Sequence, residues 1–185
     1  ILVRTLKTGR YEPKAVVATS SPSMDIQVSS NFERLIFEAA GRDGARVCEV
    51  MGDLAGQGGF TLSESELESL RALFTAEAVD EADVERTIRD VARETGYVCD
   101  PHTAVGIAAT RRQKRDDIPV VTLATAHPAK FPEAVETATG KRPEVPSRLE
   151  DKLGAEERFS VLENDYDALS EFIEARARAV TEPSA

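Results

Sequence analysis

Only two histidines occur in the 185 residues, and each follows closely on a short apolar run. His102 stands in Asp100-Pro101-His102-Thr103, and His127 in Thr125-Ala126-His127-Pro128. An imidazole can move a proton near neutral pH or ligate a metal, and a threonine hydroxyl donates one hydrogen bond and accepts two. In an open parallel sheet, groups just past the carboxyl ends of the strands face bound ligands. The same junctions are also where polar side chains cap helices. On spacing alone capping is the commoner outcome, in about two cases of three. Two histidines without a third ligand at fixed spacing make no zinc site. Lys130 is placed where a Schiff-base lysine could stand, close to Thr125 and His127, although a solvent-facing lysine at a helix start is the commoner situation. Ser20-Ser21-Pro22-Ser23-Met24-Asp25 gathers hydroxyls and a carboxylate ahead of a helix start. Such a cluster can bind a phosphate or an amine, or simply close a turn on its own backbone. The glycines of 52–59 lack a following Lys-Ser/Thr pair and a preceding strand, so they read as a helix end and a turn.

The elements that must position these groups alternate. Tyr97-Val98-Cys99 predicts a short buried strand and His102 to about Lys114 a helix; Pro119–Leu123 and Ala129 to about Thr139 repeat the design. Proline is suited to the first turn of each following helix. Strand, helix, strand, helix with short connections predicts an α/β fold, parallel strands flanked by helices. Upstream, residues 1–8 read as a helix end closed by Gly9, and Tyr11–Ser23 as extended or loop. Ser30-Asn31 opens a helix whose Phe32, Leu35, Ile36 and Ala39 share a face, and Ala45–Ala55 forms another. Ser63 with Glu66 is a capping box for a helix through Leu73, Phe74–Val79 a short strand, and Asp80 to Gly96 bounds a helix with Val84, Ile88, Val91 and Ala92 inward. Residues 141–164 read as loosely packed. A final helix after Asn164-Asp165 is expected to bury Tyr166, Leu169, Phe172 and Ile173.

Totals narrow the function classes. Formal charge is −10, from 33 acidic against 23 basic residues, which repels a phosphate backbone and argues against nucleic acid. The basic run Arg111–Arg115 suits the last turn of a helix. Hydrophobic residues are 41% of the chain, enough for a core, but no apolar run can span a bilayer, so no membrane is expected. Cys48 and Cys99 lie far apart without metal spacing, which suits a reducing compartment and a cytoplasmic location.

Three stretches taken in order resemble threonine synthase of the longer microbial and fungal type. The first is Thr8-Gly9-Arg10-Tyr11 continuing to Ser21–Ile26 and Ser30-Asn31-Phe32-Glu33-Arg34. The second is Asp100-Pro101-His102-Thr103-Ala104-Val105-Gly106, and the third Ala124-Thr125-Ala126-His127-Pro128-Ala129-Lys130-Phe131. The resemblance runs from residue 1 to about Pro143 and implies the C-terminal part of the enzyme: residues 1–143 in the large cofactor domain, 144–185 as an extension.

What the resemblance implies is a lyase of the fold-type II, tryptophan-synthase β-subunit-like class. It uses pyridoxal 5'-phosphate (PLP) to convert O-phosphohomoserine and water into threonine and phosphate. By the same resemblance Thr125 meets the pyridine nitrogen of the cofactor, while His127, Lys130, His102, Thr103, Ser23 and Asp25 are expected around the pocket or behind it. No catalytic residue is expected within these 185 residues. The lysine that holds PLP as a Schiff base, and the Gly-Asn-rich loop for its phosphate, are expected upstream, in a missing N-terminal part. The chain opens as though inside a helix, which fits that expectation. Alone it is expected to be inactive; the alternative is a binding or scaffold module derived from a PLP enzyme and retained without catalysis.

Overall fold

The computed structural model describes residues 1–113, 118–153 and 155–177. It divides into two compact units, Ile1–Glu144 and Val145–Ala185.

The first unit holds two cores. Helix α1 (Leu2–Thr8) ends where Gly9 turns left-handed at φ 76° and its amide returns to the Thr5 carbonyl. Strand β1 (Arg10–Tyr11) then pairs antiparallel with β2 (Phe60–Thr61). Gly59 is required at that crossing, for a Cβ there would stand 2.6 Å from the Tyr11 carbonyl oxygen. Tyr11 is the centre of the first core. Its ring stacks on Phe60 at 4.8 Å and on Phe32 at 5.7 Å, and its hydroxyl accepts a 2.7 Å hydrogen bond from the Ser29 amide. Helices α2 (Phe32–Ala39), α3 (Gly44–Gln57) and α4 (Glu64–Leu73) close this core with Ile36, Val50 and Leu70, all essentially inaccessible. Arg71 of α4 donates to the carbonyls of Leu6 and Lys7, satisfying the open C-terminal end of α1.

The second core lies among α5 (Glu81–Thr95), α6 (Pro101–Gln113) and α7 (Pro132–Thr139). It is built from Val84, Ile88, Val91, Cys99, Ala104 and Ala138. Burial pushes the Cys99 thiol up to about 11, whereas Cys48 on α3 is exposed. Thiolate is the reactive form. Ellman titration of the folded protein at pH 8 is therefore expected to show Cys48 reacting fast and Cys99 only after unfolding. A common rate for both would contradict this burial.

Every helix expected up to Gly96 is present: Ser63 and Asp80 accept from first-turn amides, Ser63 and Glu66 close the capping box, and Asp43 caps α3, whereas Asn31 makes no side-chain cap for α2. The strands are a correction. Neither 74–79, 97–99 nor 119–123 forms a strand, and among the described residues the one sheet is the antiparallel β1–β2 pair. The physical reason is that a strand exists only through a partner's N–H and C=O groups, and none of the described segments supplies a parallel neighbour. Val121 and Leu123 consequently stay 81% and 78% exposed. The helix expected from Ala129 splits into a 3₁₀ turn (Pro128–Lys130) and α7, broken at Phe131, whose φ of −132° leaves the helical range. Lys114 and Arg115 lie outside the described residues.

In the second unit α8 (Ser147–Leu153) forms inside the stretch expected to be loose. Helix α9 (Tyr166–Glu174) forms where expected, with Asp165 accepting from the Ala168 amide. Its apolar face is not buried: Tyr166, Leu169 and Ile173 are all exposed. A unit this short has too little surface of its own to cover that face.

Candidate functional site

Asp100 is where the site begins. It precedes Pro101, the first residue of α6, so its side chain falls at the N-cap, where carboxylates satisfy first-turn amides and meet the positive end of the helix. The carboxylate is fully buried and accepts from the backbone amides of His102 (2.9 Å) and Thr103 (3.4 Å). It also engages both of their side chains. His102 Nδ1 lies 3.0 Å from Oδ1, and the Thr103 hydroxyl donates to Oδ2. Four donors converge on one acceptor-only group.

His102 is fixed at both nitrogens. The Ser23 amide lies 3.2 Å from Nε2. An amide can only donate, so Nε2 carries no proton, and Nδ1 carries the one that points at Asp100. Phe131 covers the imidazole at 4.7 Å between ring centroids. His102 thereby pins the loop at Ser23 to the start of α6, and its environment is that of a structural linker.

Thr103 passes the network on to Thr125. The Thr125 amide donates to Thr103 Oγ1 at 3.0 Å, and the two hydroxyl oxygens are 3.4 Å apart. The segment carrying Thr125 runs along one stripe of α6. Thr122 meets Thr110 through their hydroxyls at 3.1 Å and would stand 3.1 Å from a Cβ at Gly106. Residues 103, 106 and 110 share one helical face, and Gly106 admits the close approach. Thr125 is thus held at the N-terminal end of α6 with its side chain exposed.

Of the other expected residues, Ser23 reaches this hub through its backbone amide alone, and Asp25, His127 and Lys130 make no hydrogen bond to it. Asp25 takes the Thr19 amide (2.8 Å) and hydroxyl (2.7 Å), organising its own loop. Ser23 and Asp25 line a half-open cavity of about 740 Å³ with Arg4, Ser21 and Glu81. His127 caps the 3₁₀ turn by accepting from the Ala129 amide and lines a different cavity of about 680 Å³ with Arg89, Arg93 and Arg142. Lys130 is exposed, its Nζ 6.0 Å from the Phe131 ring. Thr125 lines neither cavity. Among the described residues no cluster of three His, Cys, Asp or Glu could hold a metal, and no helix is long and apolar enough to cross a membrane.

Sequence reading places Asp100 and Phe131 in the stretches of the resemblance and Ser21 in the hydroxyl cluster before a helix, but assigns none of the three the contacts it makes here. The Asp-Pro-His-Thr order was a usable signal, since an N-cap presents its carboxylate to the second and third helical residues. Phe131 closes the third stretch, but nothing in the sequence marks it as the cover of His102. Ser21 is 98% buried and its hydroxyl has no partner, which spacing cannot reveal.

Residues 103–173 match the family model described as threonine synthase, C-terminal. The chain is 42% identical over 175 residues to a threonine synthase of Pseudomonas aeruginosa and 38% identical over 181 residues to that of Corynebacterium glutamicum. Each alignment covers 94% of the chain and 37% of the relative. A crystal structure of PLP-bound threonine synthase from Brucella melitensis superposes with a TM-score of 0.83 at 46% identity, covering 96% of the chain and 38% of that structure. The chain is a C-terminal segment of the threonine synthase family. Threonine synthase from yeast superposes with a TM-score of 0.69 at 36% identity, over 80% of the chain and 33% of that structure. The chain therefore spans well under half the length of these relatives, and its Thr103 and Thr125 both fall inside the matched family region.

Proposed function

We propose that this chain is the C-terminal part of a PLP-dependent threonine synthase that converts O-phosphohomoserine and water into threonine and phosphate. Residues 1–143 then belong to its large cofactor domain of fold type II, 144–185 form an extension, and the enzyme works in the cytoplasm. The observation that carries the reading is Thr125: an exposed hydroxyl, held by Thr103 over a buried carboxylate, within the region the family shares.

The residues present fit the pyridine end of PLP. A neutral hydroxyl can donate to a ring nitrogen or accept from a protonated one, and a residue held at two atoms offers that contact in a fixed place. When bound, PLP supplies an electron sink for the bond changes at the substrate. What this chain contributes is placement. Thr125 fixes the ring edge, Asp100 and Thr103 keep Thr125 from turning away, and Phe131 with His102 shields the carboxylate from water. The surface at Thr125 is open, so the substrate-side walls, the phosphate cradle and the lysine that holds the cofactor come from sequence upstream. The unpaired run at 119–123 fits that arrangement, for its exposed apolar residues would take a place in a larger parallel sheet.

The test is to add PLP to the 185-residue chain and to the full-length protein. The full-length protein is expected to show a visible cofactor band and to release phosphate from O-phosphohomoserine, and the chain alone neither. Band and turnover on the chain alone would overturn the placement of the lysine upstream. A full-length protein that binds PLP without releasing phosphate would favour a non-catalytic module.

A further inference from the structure

We propose that the cavity between α5 and the segment after α7 binds a small phosphate-bearing anion, held by Arg89, Arg93, Lys141 and Arg142. Thr125 takes no part in this site, which stands whether or not that residue meets PLP.

The sign of the cavity runs against that of the chain. Formal charge is −10 overall, yet the charged residues of this wall are four cations and one carboxylate, Glu144. Three separate segments bring the donors together. Helix α5 supplies Arg89 and Arg93, the segment after α7 supplies Lys141 and Arg142, and the 3₁₀ turn supplies its N-cap, His127. The space of about 680 Å³ is of the size that small-molecule sites have.

Helix ends account for only part of this charge. Cations suit the last turn of a helix, and α5 and α7 both end beside the cavity, at Gly96 and Gly140. Arg89 lies before the last turn of α5, and with Arg93 it makes a pair of like charges four residues apart on one face, which weakens a helix. An anion between them reverses the sign of that effect. The arginines do have carboxylate neighbours. Glu85 lies 3.3 Å from Arg89, Asp90 and Glu94 lie 3.1 and 3.9 Å from Arg93, and Glu133 and Glu136 each lie 3.0 Å from Arg142. All three guanidinium side chains are half or more exposed, and ion pairs in that setting contribute little. Each guanidinium also carries five N–H donors, more than those carboxylates use. Lys141 adds an exposed ammonium.

His127 adds a neutral donor. Its Nδ1 accepts from the Ala129 amide at 3.2 Å, and an amide can only donate, so the neutral ring carries its hydrogen on Nε2. Guanidinium, ammonium and imidazole N–H together are a donor set without an acceptor to match. A phosphate group offers the dense, doubly charged acceptor surface that such a set binds, with arginine gripping two oxygens at once. Free phosphate and an organic phosphate ester share this chemistry.

Isothermal titration of the PLP-loaded full-length protein with inorganic phosphate and with glycerol 3-phosphate, at constant ionic strength, tests the site. Wild type is expected to bind at least one probe. Lys141→Gln/Arg142→Gln is expected to lose about tenfold or more of that affinity, the size of one charge-assisted hydrogen bond. Arg42→Gln/Arg158→Gln, which removes two exposed charges outside the cavity, is expected to bind as wild type does. Equal affinity for the two probes assigns free phosphate as the occupant, and tighter binding of the ester assigns an organic phosphate. The proposal is overturned if wild type takes up neither probe at millimolar concentration. It is equally overturned if the cavity variant binds as wild type does, or if the outside variant loses as much as the cavity variant. Should Lys141→Gln/Arg142→Gln not fold, Arg89→Gln/Arg93→Gln on the α5 wall carries the same expectation. The visible cofactor band, recorded on the same samples, reports the PLP reading separately, so either can fail without the other.

Discussion

Replacing Asp100 with alanine is expected to destabilise the fold by about 3–5 kcal/mol, the range for breaking a buried, fully hydrogen-bonded charge. The loss has a stated origin. Four donors, the amides and side chains of His102 and Thr103, would lose their common acceptor in a site without water. Each donor left buried and unpaired costs about 1–3 kcal/mol. The terms do not add fully, because neighbouring groups relax together. Loss of the N-cap for α6 contributes about 1 kcal/mol of the total. Asn is expected to be milder. Its carbonyl can serve the two His102 donors, and its amide group can donate to Thr103 Oγ1 once that hydroxyl rotates. Chemical denaturation of the full-length protein, comparing Asp100→Ala with Asp100→Asn, reads both. If alanine costs less than 1 kcal/mol, or if the two variants are equal, Asp100 is not the hub described here.

How much of this could be read beforehand depended on range. Helix starts and stops are local, and the Ser63/Glu66 box, Asp80 and the glycines at 9, 58 and 96 fell where expected because each acts on atoms three or four residues away. Apolar spacing located Ile36 and Ile88 for the same reason. The run at 119–123 has the composition of a strand, yet a ladder is a property of two segments, and composition describes one. Here that run settles along α6 through Thr122, Gly106 and Thr110. The face of α9 failed similarly: periodicity identified its apolar side but not what would cover it. Of the site, Thr103 and Thr125 do meet, but not at the ends of the two parallel strands that the sequence suggests, since neither strand forms. The four donors on Asp100 are local, all within three residues of it, whereas the cover of His102 by Phe131 requires the chain to come back to the start of α6. Helical spacing carries no information about such a return.

Acid is expected to weaken the first core through Glu66. This carboxylate is nearly inaccessible, 5% exposed, and Arg46 reaches both of its oxygens, at 2.8 and 3.2 Å. The Ser63 amide adds a third hydrogen bond at 2.7 Å. The Arg46 guanidinium foremost, with Ser63 behind it, holds the carboxyl down to about 2, against the burial that pushes it up. The ordinary value of 4.5 applies when the chain is unfolded. Because the folded value is the lower one, the stabilisation is complete above about pH 4.5 and drains away as pH falls toward about 2. A shift of that size corresponds to at most about 3 kcal/mol, and roughly 2 kcal/mol is expected, since Arg46 keeps part of its side chain in solvent. Glu66→Gln isolates the charge, for its carbonyl can still accept from Ser63 while its amide stays neutral at every pH. Wild type and variant should differ by roughly 2 kcal/mol at pH 7 and converge between pH 4.5 and 2. A difference that stays constant across that interval would mean that the bonds to Arg46 and Ser63 stabilise by shape alone, with no contribution from ionisation.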